Sequence, residues 1–144
     1  MVENARHNRP YSGVIARLKQ AGLRPTRQRI ALAKLLFEAE DRHVSAEDLH
    51  EEARAAGVSV SLATIYNTLH QFTESGLMRE VVVEASRSYF DTNTGDHHHF
   101  FHEDTGLLED IPSDRINVSE LPDSPAGTSI NRVDVIVRVS GSSD

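Results

Sequence analysis

The sequence predicts a mixed α/β (α+β) chain: an N-terminal winged helix-turn-helix followed by a small α/β dimerisation domain. Three observations predict it. Up to Gly76, apolar residues recur at helical spacing in four segments. The third and fourth segments are separated only by Val58-Ser59-Val60, the short turn of a helix-turn-helix. From Met78 onward the runs become strand-like.

Each element has its own signals. Residues 1–10 are polar and end in Pro10, which reads as a flexible arm. Val14, Ile15, Leu18 and Ala21 mark a first helix that stops at Gly22. Thr26, after Pro25, caps a second helix with Ile30, Ala33, Leu36 and Phe37 on one face. Ser45 and Asp48 have capping-box spacing, with Asp in the usual Glu place, and open a third helix. Leu49, Ala53 and Ala56 line its buried side, and Gly57 ends it. Ser61 caps a fourth helix, whose core stripe is Leu62, Ile65, Leu69 and Phe72 and whose end is Gly76. Strands at 78–83 and 87–91, turning through Ala85-Ser86, make the wing.

The polar stretch 92–96, which contains Gly95, reads as a hinge. Strands are expected at 97–102, 107–111 and 129–139, the last from the alternation of Val133, Val135, Val137 and Val139. Pro112, Pro122 and Pro125 leave room between them for only a short helix near 114–121. The expected division is a winged-helix domain at 1–91, the hinge, and a second domain at 97–144. That second domain is too small to stand alone comfortably, which predicts a homodimer.

Composition narrows the chemistry. The 144 residues are 38% hydrophobic and 26% charged, enough for a packed core. There are no cysteines, which excludes disulfides, thiolate metal sites, Cys-Pro haem sites and cysteine nucleophiles. No apolar run reaches the roughly 18 residues of a membrane span, and no signal-peptide pattern precedes the first helix, so the expectation is a cytoplasmic protein without a membrane partner. No serine sits in a Gly-x-Ser-x-Gly context and there is no phosphate loop, so nucleophilic catalysis is not expected. The net charge of −7 argues against a polyanion partner for the chain as a whole. It is unevenly placed, however: residues 1–80 carry 11 Lys/Arg against 10 Asp/Glu, and residues 81–144 carry 4 against 12. The first half is able to meet double-stranded DNA.

The fourth helix has the surface for it. With its stripe turned inward, Asn67 points away from the core, Ala63, Thr64, His70, Gln71 and Glu74 flank it, and Tyr66 sits on the shoulder. Asn pairs bidentately with adenine, and Ala, Thr or a Tyr ring touches thymine methyls. Arg27, Arg29 and helix N-termini such as that at Ser61 suit phosphates, and Arg24 suits a minor groove. A solvated amphipathic helix in an ordinary helical domain gives the same pattern.

Histidines supply the second cluster. In a strand, His97 and His99 share one face and His98 takes the other. A His-x-His pair offers two imidazoles to Zn, Fe or Mn, and carboxylates complete a hard site. The candidate set is His43, Asp91, His97, His99 and Asp110, which would link the two domains across the hinge. The same tract in a solvated strand would hold nothing. A metalloenzyme is a further alternative, but no general base stands beyond the ligands themselves.

The segments "GLRPTRQRIALAKLLF", "RHVSAEDLHEEA", "VSLATIYNTLHQFTESGLMREV" and "SYFDTNTGDHHHFF" together resemble the ferric uptake regulator superfamily, and within it the iron response regulator (Irr) branch. The resemblance covers residues 13 to 140. It implies a dimeric transcription regulator and not an enzyme, with His43, Asp91, His97, His99 and Asp110 at the sensor site. It places the DNA-reading tyrosine at Tyr66 and the minor-groove residue at Arg24. Asn67 stands where the family usually has Arg, as in the Irr branch, implying a different operator. His102 and Thr105 stand where the family has Cys-x-x-Cys, implying no structural zinc of the four-cysteine kind. The Irr likeness further implies a haem contact at His97, His98 and His99. It implies repression of haem-synthesis and iron-dependent genes at an A/T-rich operator when iron is scarce, relieved by haem. The alternative is a repressor of the same family activated by Mn, Fe or Zn that does not use haem.

Overall fold

The computed structural model describes residues 12–141, with side chains from residue 13; the expected arm at 1–10 lies outside the described residues. The chain divides into two compact units, one up to Thr94 and one from Gly95.

In the first unit, helices α1 (Ser12–Gln20), α2 (Arg27–Phe37), α3 (Ala46–Ala55) and α4 (Leu62–Glu74) surround one apolar core. Each of the last three helices is started by a hydroxyl at its N-cap. Thr26 accepts from the Arg29 amide at 3.2 Å, and Ser61 from the Thr64 amide at 3.1 Å. Ser45 accepts from the Asp48 amide at 3.1 Å while Asp48 Oδ2 accepts from the Ser45 amide at 3.5 Å, completing the capping box. Gly57 ends α3 at φ +78°, a left-handed turn that lets Val58 N–H reach back to Ala53 O at 2.8 Å. His50 Nε2 donates to Val60 O at 3.1 Å, tying α3 to the turn ahead of α4.

Leu18, Leu32, Leu36, Leu49, Ile65, Leu69 and Phe72 are fully buried. On α2 the inward stripe includes Leu32, while Ile30 and Phe37 are only partly covered. Strands β2 (Arg79–Glu84) and β3 (Arg87–Asp91) form the wing, with a register shift between Val82 and Glu84. A short strand β1 (His43–Val44), which no periodicity announces, adds to the other edge of β3, giving the antiparallel order β1-β3-β2.

The second unit is a three-stranded sheet in the order β5-β4-β6. Its central strand β4 (His97–His102) pairs antiparallel with β5 (Leu107–Pro112) and parallel with β6 (Ile136–Val139). Two elements of this unit are shorter than their sequence pattern predicts. The strand expected at 129–139 is regular only from Ile136, although Val135 O still accepts from the His99 amide at 3.2 Å. The helix expected near 114–121 is a single 3-10 turn at Ser113–Arg115, followed by irregular chain. No helix among the described residues is long and apolar enough to cross a membrane.

Candidate functional site

The five residues expected to hold a metal fall into two sets, one in each unit. In the first unit, His43 on β1 is the register partner of Asp91 on β3. Directly opposed residues of an antiparallel pair project from the same face, so imidazole and carboxylate stand side by side. Asp91 is buried, and its Oδ1 accepts from the Asn93 amide at 2.9 Å, which turns the chain away at the end of the wing. Arg79, also buried, is the register partner of Asp91 on the β2 side.

In the second unit, β4 and β5 assemble three donors. His99 is the register partner of Asp110, and His97 lies two residues earlier on the same face. His97 Nε2 is 3.6 Å and His99 Nε2 3.4 Å from the same oxygen, Asp110 Oδ1. The two rings are 4.6 Å apart and inclined at 64°. His97 and His99 are 6% and 1% exposed at the side chain, whereas Asp110 is 48% exposed and closes the cluster from outside.

One hydrogen bond decides how His97 presents itself. Its Nδ1 lies 2.7 Å from Gly95 O, and a carbonyl can only accept, so Nδ1 carries the proton. Nε2, the nitrogen facing Asp110, is left with its lone pair. A backbone carbonyl behind a ligating imidazole fixes the tautomer and the ring orientation. The donor atoms of His97, His99 and Asp110 lie within 4.8 Å of one another. Two ligands about 2.0–2.1 Å from one tetrahedral ion stand roughly 3.4 Å apart. The observed separations therefore fit an ion of that size. Two imidazoles and a carboxylate suit Zn, Fe or Mn.

His98 is elsewhere. It projects from the opposite face of β4, and its Nδ1 accepts from the Val135 amide at 3.1 Å. The three histidines expected at haem are thus divided between two faces of one strand.

The expected nucleic-acid face lies wholly in the first unit. Ala63, Tyr66 and Asn67 are exposed on α4, as are Arg24 and Arg27 ahead of it in sequence. Ser61 and Thr64 are engaged with each other: the Ser61 hydroxyl donates to Thr64 Oγ1 at 3.0 Å. Their role in the structure is to start the helix. Tyr66 donates its hydroxyl to Glu47 Oε1 at 2.8 Å, and its ring stacks on His70 at 6.3 Å. The bond to Glu47 raises the phenol pKa above its ordinary value, with burial and the negative charge adding to it. Arg29 is committed to bonds within the protein: Nη1 donates to Arg24 O at 3.0 Å, and Nη2 and Nε donate to Gln71 Oε1 at 3.0 and 3.3 Å. Helical spacing places Gln71 beside Asn67, but its bonds from Arg29, like the bond of Tyr66 to Glu47, cross between helices and leave no trace in local spacing.

Comparison with known proteins agrees with this architecture. Residues 20–136 match the model of the ferric uptake regulator family. The chain is 34% identical over 119 residues to the peroxide-responsive repressor PerR of Staphylococcus aureus, covering 83% of this chain and 78% of that protein. The manganese-bound ferric uptake regulator of Pseudomonas aeruginosa superposes with a TM-score of 0.65 at 27% identity, over 88% of this chain and 96% of the other. The ferric uptake regulator of Vibrio cholerae shares the fold, with a TM-score of 0.69 at 23% identity over 88% and 98% of the two chains.

Proposed function

From the premise that the chain belongs to the ferric uptake regulator family of transcription regulators, we propose that it is a homodimeric repressor whose affinity for operator DNA is set by a divalent ion. The observation that carries the reading is the convergence of His97 Nε2 and His99 Nε2 on Asp110 Oδ1, with Gly95 O holding the His97 tautomer. We assign His97, His99 and Asp110 as ligands. His43 and Asp91, paired in the other unit, are proposed to complete the set, as their positions in the sequence suggest. Asn67, Ala63, Tyr66 and Thr64 on α4 are proposed to face the bases, and Arg27 and Ser61 the phosphates. Arg24 is proposed to enter a minor groove.

Mn(II) is favoured over haem as the first ligand to test. His97 and His99 are buried on one face of β4, and His98 is bonded to the Val135 amide on the other face. Fluorescence anisotropy on a duplex pool enriched with the wild-type chain tests both. Affinity that rises with Mn(II) in the wild type but not in Asp110→Asn supports the ion. Release by haem that requires intact His97, His98 and His99 restores the haem-relieved reading of the Irr likeness. Affinity indifferent to both overturns the sensor role.

The 34% identity to a peroxide-responsive repressor favours one addition to the reading. His97, His99 and Asp110 would hold Fe(II) by imidazole and carboxylate donors, and that ion would supply the electron that peroxide reduction needs. Release of DNA by peroxide from the Fe(II)-loaded chain, but not from the Mn(II)-loaded chain, supports a peroxide response.

A further inference from the structure

Arg29 reaches in two directions at once. The inference that follows rests on the DNA-reading role just proposed. On one side its Nη1 bonds Arg24 O at 3.0 Å, and that carbonyl also accepts from the Thr26 amide at 2.9 Å. Pro25 follows directly, which restricts Arg24 to extended backbone and fixes φ at the next residue. Two donors and a proline therefore set the peptide plane that carries Arg24. On the other side Nη2 and Nε share Gln71 Oε1 at 3.0 and 3.3 Å. Gln71 lies four residues after Asn67, one turn along the same face of α4.

We propose that Arg29 is a positioning residue for DNA reading. Its guanidinium ties the extended Arg24 segment to α4, and so sets the offset between the bases read by Asn67 and the flanking groove entered by Arg24. Both acceptors are neutral oxygens, so the bridge depends on the planar fork of donors rather than on charge pairing. Lysine supplies the same charge as a single point without the fork, and cannot hold both oxygens in this geometry. This separates positioning from phosphate binding, for which lysine serves well.

The test uses the full chain loaded with Mn(II) and a pool of random duplexes, at one stated salt concentration. The wild type is expected to enrich an adenine-containing core and an A/T flank at a fixed offset. Arg24→Ala is expected to keep the core and lose about ten-fold in preference for the flank. Arg29→Lys and Gln71→Ala are expected to show that same loss, with the salt dependence of Arg29→Lys unchanged. The double variant is expected to be no worse than either single change, because both remove one bridge. Full retention of the flank by Arg29→Lys overturns the proposal and leaves Arg29 a phosphate contact. Loss of the core rather than the flank in Gln71→Ala also overturns it, making Gln71 a base reader. A wild-type pool that enriches no sequence overturns the DNA-reading role itself, and this inference with it.

Discussion

At Asp110 a single carboxylate oxygen faces two imidazole nitrogens, and each residue there does a separable job. Asp110→Asn keeps the shape and removes the charge. It is expected to weaken Mn(II) binding at least ten-fold by titration calorimetry while leaving the thermal melt nearly unchanged, because the side chain is half exposed. Tyr66 offers a second reading at this scale. A carboxylate that accepts from the phenol stabilises the protonated form, so Tyr66 ionises above its ordinary value of 10.0. Glu47→Gln is expected to bring that titration down toward the ordinary value, followed by tyrosinate absorbance. No change would place the hydrogen bond outside solution behaviour. The His97/His99 pairing was legible in sequence, since alternate residues of any strand share a face. The tautomer of His97 was not, because it depends on a turn that brings Gly95 O back to the ring. The bonds to Glu47 and Gln71 were not legible for a related reason: they join residues 19 and 42 positions apart along the chain.

The helices were the most readable elements, since their caps and stripes are local. Thr26, Ser45 and Ser61 each cap the helix they announce. Ser45→Ala removes half of a reciprocal capping box and is expected to cost about 1 kcal/mol in chemical denaturation. Phe72→Ala, at the centre of the apolar core, is expected to cost roughly 3–5 kcal/mol in the same assay. Strands were less readable because pairing is a non-local event. β1 has two residues and therefore no period to detect, yet it places His43 opposite Asp91. The alternation of Val133 and Val135 suggests a longer β6. The hydrogen bonds show where it stops: β6 pairs with His99 to His102 of β4, and the Val135 amide donates to the His98 side chain at Nδ1 instead of to a β4 carbonyl. The 3-10 turn at Ser113–Arg115 replaces the expected helix, and it ends at Ile116, a β-branched residue whose backbone is extended at φ −126° and ψ 127°.

For the whole molecule, the uneven charge and the two-unit division follow the same line. The helical unit carries Arg27, proposed for phosphates, and Arg24, proposed for a minor groove, and most of the acidic excess lies in residues 81–144. Arg27→Ala is expected to weaken binding to every duplex about equally and to lower the salt slope by about 1. A sequence-selective loss would move Arg27 to the bases. Ion occupancy at His97, His99 and Asp110 is proposed to govern operator affinity. It is tested most directly by measuring DNA affinity across a Mn(II) titration at constant ionic strength, for the wild type and Asp110→Asn side by side. Wild-type affinity is expected to rise at least ten-fold as Mn(II) binds, and the variant to need correspondingly more Mn(II) to reach it. Equal affinity with and without Mn(II), from a chain shown by calorimetry to bind the ion, would contradict it.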